Sequence, residues 1–192
     1  MTVEAITAAP SKFSSHWRSL RADLARMKEM RYSSPWSSAG FWAVTIYRLQ
    51  CILRDGEPKW LLFPPRAVLA ILRRFVSLIT GIQISADARI GPGLLVPHPG
   101  SIWIDAYATL GSGCTVYHGV TLGEGPTGKG ARIGDNVILS CQCSVIGRVN
   151  IGNGALVAAN TLVIYDVPAG ATAIGVPAKI IPGKPAVTKP SV

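Results

Sequence analysis

One rhythm constrains this chain more than any other feature of it. Aliphatic residues recur six apart at Ile84, Ile90 and Val96, again at Ile104, Leu110, Val116 and Leu122, and again at Ile133, Leu139, Val145, Ile151, Val157 and Val163. Small, hydroxyl or acidic residues often follow them, as at Gly91, Asp105, Gly111, Gly134, Ser140, Gly152 and Ala158. This is the hexapeptide repeat of a parallel β-helix, whose aliphatic side chains point into a triangular prism and stack in columns. Three hexads close one coil, so the thirteen positions predict about four coils. Neighbouring coils should lie roughly 4.8 Å apart, the ordinary strand spacing.

Before residue 82 the pattern is helical. Trp17, Leu20, Leu24 and Met27 share one helical face, with Ser14 or Ser15 as the expected N-cap. A second helix is expected over about 38–53, ended by Gly56-Glu57-Pro58. A third should begin after Pro64-Pro65, carry Val68, Leu72, Phe75, Val76 and Ile79, and stop at Gly81. The stretch from Ala67 to Ile82 is interrupted by Arg73 and Arg74 and falls short of the roughly 18 apolar residues of a membrane span. It either packs on its neighbours or lies as an amphipathic helix on a membrane surface, and a weak association of that kind stays open. The expected organisation is a flexible leader and N-terminal helical region over 1–82, a β-helix domain over 83–181, and a C-terminal tail rich in Pro and Lys over 182–192.

The repeat is interrupted twice. Two extra residues lie between Val96 and Ile104, where His98 sits. Five more lie between Leu122 and Ile133 and make a loop, Gly123 to Ala131, in which four of nine residues are Gly. Such a loop can approach a ligand or partner chain closely. His98, His118, Cys141 and Ala159 are each third in their hexads, three hexads apart, so they should form one column up the prism. Small residues above two histidines suit a groove for an extended ligand.

The formal charge is +9, which suits phosphorylated small molecules, an anionic membrane or nucleic acid. The basic residues are dispersed and no nucleic-acid motif accompanies them, so no nucleic acid is expected. The four cysteines follow no secretory signal pattern and read as reduced thiols of a cytoplasmic protein. Two histidines without a third ligand do not make a metal site, and none is expected.

Three segments, 93–102 with His98 at its centre, Tyr117-His-Gly-Val-Thr-Leu-Gly123 and Gly175-Val-Pro-Ala-Lys-Ile180, resemble the serine acetyltransferase family and its polysaccharide O-acetyltransferase relatives, over about residues 82–182. The resemblance implies a left-handed parallel β-helix with an N-terminal helical segment. It implies an acetyl-CoA-dependent O-acetyltransferase in which His98 deprotonates an acceptor hydroxyl that attacks the thioester directly. It also implies a homotrimer with coenzyme A between adjacent prisms. His118 joins His98 as a catalytic candidate, since it or backbone N–H groups around Gly119 to Gly123 could meet the developing oxyanion. Gly119, Gly123, Cys141, Ala159 and Lys179 are the coenzyme-binding candidates. Serine acetyltransferases carry Asp before the catalytic His and another fifteen residues earlier; here those positions hold Pro97 and Gln83. They also carry a second His in the long loop, which here reads Gly128-Lys-Gly-Ala-Arg132. The acceptor expected from these departures is a sugar or polysaccharide hydroxyl. The alternatives are a divergent serine O-acetyltransferase of cysteine biosynthesis and a non-catalytic β-helix scaffold.

Overall fold

Each hexad supplies a strand of two or three residues, and a turn of about 120° carries the chain to the next face of the prism. The computed structural model describes residues 12–29, 38–56, 58–59, 61–126 and 128–183. The flexible leader expected at the start of 1–82 and most of the tail expected over 182–192 lie outside them. One face stacks β1 (Ile82–Ile84), β3 (Ile102–Ile104), β6 (Thr121–Gly123), β9 (Ser144–Ile146) and β12 (Leu162–Val163). The second stacks β2 (Arg89–Ile90), β4 (Thr109–Leu110), β7 (Arg132–Ile133) and β10 (Asn150–Ile151). The third stacks β5 (Thr115–Val116), β8 (Ile138–Leu139), β11 (Leu156–Val157) and β13 (Thr172–Ile174), and Leu95 pairs with Thr115 beneath them. All these pairings are parallel; only β14 (Lys179–Ile181) returns antiparallel, on β13.

The predicted columns are the core. Ile84, Ile104, Leu122, Val145 and Val163 stand above one another on the first face, and Val116, Leu139 and Val157 on the third. All are buried. A second inward position lies four residues after the aliphatic one, where Ala88, Ala108, Val120, Val137, Cys143, Val149 and Ala155 are also buried. Thr161 takes that position near the last coil, and its hydroxyl is satisfied by accepting from Gly175 N and donating to Ala159 O.

The prism has five coils, one more than the thirteen aliphatic positions predict. Val167 follows Val163 after only four residues, yet it pairs with Ile151, and Ala173 pairs with Val157. The short step and the small Ala hide this coil from a search for aliphatic residues six apart.

Three helices precede the prism: α1 (Lys12–Glu29), α2 (Ala39–Arg54) and α3 (Phe63–Thr80). Helix α1 starts before Ser14 and Ser15, so neither caps it. Helix α3 carries its prolines in the first turn and ends at Gly81, whose left-handed φ of 71° lets its N–H reach Ser77 O. A polar hub docks α1 and α2 on the first coil. Arg48 of α2 pairs with Asp23 of α1 at 2.7 Å, and both side chains are almost fully buried. The same guanidinium donates to Ile90 O and Gly91 O, while Asp23 accepts from Leu94 N. Arg26 donates to Gly93 O, Cys114 O and Thr115 Oγ1, and Tyr47 donates to Ala88 O. These contacts hold the coil that leads directly into His98.

Candidate active site

His98 lies in the turn between the Leu95 bridge and β3, after a buried Pro97, and is itself exposed. Backbone hydrogen bonds fix the register of this corner. Gly119 N donates to Gly100 O, Gln142 N to His118 O and Asn160 N to Cys141 O, each at 2.9 Å. The column therefore reads Gly100, His118, Cys141, Ala159. His98 is displaced from the place expected directly beneath His118, because the two extra residues fall between Val96 and Gly100, where His98 itself lies, and so put Gly100 in that place. Gly100 adopts a φ of 117°, and a side chain there would stand against Cβ of His118.

The displacement still brings the two imidazoles together. The ring centroids of His98 and His118 are 6.2 Å apart at an interplanar angle of 67°. Tyr117 lies on the same turn, its ring centroid also 6.2 Å from that of His98. The motif Tyr117-His-Gly held this residue in plain view, but spacing alone gave it no role. Neither imidazole hydrogen-bonds to another described residue. Gln83 sits on the adjacent face, half-buried, paired in register with Trp103.

The remaining candidates follow the same edge. Cys141 is a half-buried free thiol and Ala159 is exposed. Lys179 is exposed on β14, opposite Ile174. The N–H groups of Gly119 and Thr121 are committed to the ladder, to Gly100 O and to Cys143 O at 3.0 Å, so neither is free to meet an oxyanion. The glycine-rich loop folds back on its own prism. A side chain at Gly130 would collide with the Tyr107 backbone, and one at Gly125 with Gly147. These glycines serve close approaches within the chain, whereas the sequence suggested a ligand or partner.

Burial pushes the Cys143 thiol up to about 12 and those of Cys51 and Cys114 upward too, so all three are neutral core residues. Among the described residues no three His, Cys, Asp or Glu side chains come together as a metal site would need.

A second concave feature escaped the sequence reading. A groove beside the second face is lined by Arg89, Lys129, Arg132 and Arg148, together with Arg54, Asp55 and Asp87. Arg89 and Arg132 stand two rungs apart with Thr109 between them. Arg54 bridges Asp55 at 3.2 Å and Asp87 at 3.5 Å, which leaves the other cations in excess. The signal was an Arg directly before the aliphatic residue in two hexads that share a face.

No family model matches the sequence. The serine acetyltransferase of Helicobacter pylori strain J99 is 37% identical over 145 residues, covering 74% of this chain and 81% of the relative. Serine acetyltransferase 2 of Arabidopsis thaliana is 36% identical over 174 residues, 85% of this chain. The chain spans about half of that longer relative, 51%. The crystal structure of Neisseria gonorrhoeae serine acetyltransferase in complex with serine superposes with a TM-score of 0.75 at 30% identity, covering 88% of this chain and 70% of that one. Five parallel coils, an N-terminal helical segment and relatives of this similarity lead to one conclusion: the chain belongs to the serine acetyltransferase family, a family of acetyl-CoA-dependent O-acetyltransferases.

Proposed function

We propose that this protein transfers the acetyl group of acetyl-CoA to an acceptor hydroxyl, with His98 as general base. The observation that carries this reading is the off-register turn that sets an exposed His98 beside His118 on the family's scaffold. An alcohol is a weak nucleophile at neutral pH, so a neutral imidazole must take its proton during attack. The hydroxyl oxygen adds to the thioester carbonyl while its proton passes to a ring nitrogen of His98. Collapse of the tetrahedral intermediate breaks the C–S bond, and the proton returns to the departing thiolate. Since the Gly119 and Thr121 N–H groups are engaged in the ladder, the His118 ring is the donor assigned to the oxyanion. Coenzyme contacts along Gly119, Gly123, Cys141, Ala159 and Lys179 belong to the same reading. So does a trimer that brings the coenzyme between two prisms; light scattering should then give three times the 20.3 kDa chain mass.

L-serine is the acceptor supported best, because relatives 36% and 37% identical are serine acetyltransferases and a related structure holds serine. A sugar hydroxyl is the second reading, and Pro97 and Gln83 favour it. Burying the serine ammonium without a carboxylate partner would cost several kcal/mol, whereas a sugar brings no charge. Free-thiol release with L-serine against nucleotide-linked and lipid-linked sugars separates the two. On the serine reading L-serine has the highest kcat/KM. If a sugar exceeds L-serine by about 10²-fold, roughly 2.7 kcal/mol, the glycan reading replaces it.

A further inference from the structure

Helix α3 is built inside out. The stripe that faces the body carries the half-buried Arg66, Leu69, Val76, Ser77 and Thr80, with the exposed Arg73 among them. The Arg66 guanidinium donates to Leu53 O at 2.6 Å and to Arg54 O at 3.1 Å, closing the C-terminus of α2. Arg73 and Val76 line a small crevice together with Ala43, Ile46 and Tyr47 of α2. No residue of α3 is buried. The opposite side presents Val68, Ile71, Phe75, Leu78 and Ile79 to solvent, each 59–72% exposed, with Phe63 at 71% near the start. A continuous apolar face of this kind marks a surface that something covers.

The charges say what. Helix α3 holds three arginines and no carboxylate, and the whole chain carries +9. Arg74 lies on the flank of the apolar stripe, exposed. A second copy seated stripe on stripe would bring the flanking Arg74 side chains of the two helices together, with no acid on α3 to answer them. An anionic lipid surface meets both requirements, taking the apolar stripe among its acyl chains and the arginine at its headgroups. No helix among the described residues is long and apolar enough to cross a membrane. We propose that α3 lies in the plane of an anionic membrane and holds the prism at its surface. The inference is independent of the acetyl-transfer reading.

Vesicle co-sedimentation of the full chain tests it, with phosphatidylcholine vesicles against vesicles containing roughly 30% phosphatidylglycerol. The protein is expected to bind the anionic vesicles at least about tenfold more strongly at low salt, and to lose that preference at high salt. The double substitution Ile71→Asp with Leu78→Asp changes exposed positions, so it should abolish binding and leave the melting curve unchanged. Arg74→Gln should weaken binding about fivefold. Light scattering without lipid completes the test, since the expected mass is the same for the wild type and the double variant. Absence of binding to anionic vesicles at low salt would overturn the proposal. So would undiminished binding by the double variant, or a wild-type assembly whose mass falls in that variant.

Discussion

At the scale of single residues, the least expected contribution comes from Asp23 and Arg48. Burial pushes the Asp23 carboxyl upward, opposed chiefly by its hydrogen bond to Arg48. The pair joins two helices to the first coil through three further polar groups, Ile90 O, Gly91 O and Leu94 N, so removing one partner strands the rest. Asp23→Ala should lower unfolding stability by about 3–5 kcal/mol, because it leaves a buried guanidinium and Leu94 N unanswered. Denaturant titration reads this directly, and a loss below about 1 kcal/mol would mean that water reaches the hub. None of this was legible in the sequence. An Asp and an Arg 25 residues apart carry no periodic signal, and only the packing of two helices makes them neighbours. The column of His118, Cys141 and Ala159 was legible because the hexad count fixes register. The exact placement of His98 was not, because a count cannot tell whether extra residues precede or follow it.

At the scale of elements, one close approach sets the pose of α2. A side chain on Gly40 would run into the backbone of Val96, two residues before His98. Gly40→Ala should therefore cost about 1–3 kcal/mol despite the better helix propensity of Ala, and should reduce acetyl transfer as well. A gain in melting temperature would show that α2 is free to shift on the coil. The contrast with α3 is instructive. The sequence left two readings of Ala67 to Ile82, packing on neighbours or lying on a membrane, because an apolar helix looks alike in both. In the fold α3 rests on α2 by its narrow, arginine-bearing stripe and leaves its broad apolar one outside.

At the scale of the whole molecule, stability is a stack. Each coil buries its aliphatic residues against the coils above and below, so damage in a middle coil reaches both ends. Val145 is fully buried between Leu122 and Val163. Val145→Asp places an unpaired carboxylate there and should abolish the cooperative melting transition; a normal melting curve at neutral pH would contradict the register. The sequence revealed this architecture because the repeat is written in residue types, and it hid the fifth coil where the spacing shortens and Ala replaces the aliphatic residue. The central claim joins that scaffold to one imidazole. It is tested most directly by acetyl-CoA turnover of His98→Ala, followed as acceptor-dependent thiol release with L-serine and the sugar panel. His98 is exposed and outside the core columns, so the variant should melt as the wild type does. Its turnover should fall about 10²–10⁴-fold, the usual contribution of a general base. Wild-type turnover by a folded His98→Ala protein would contradict the account.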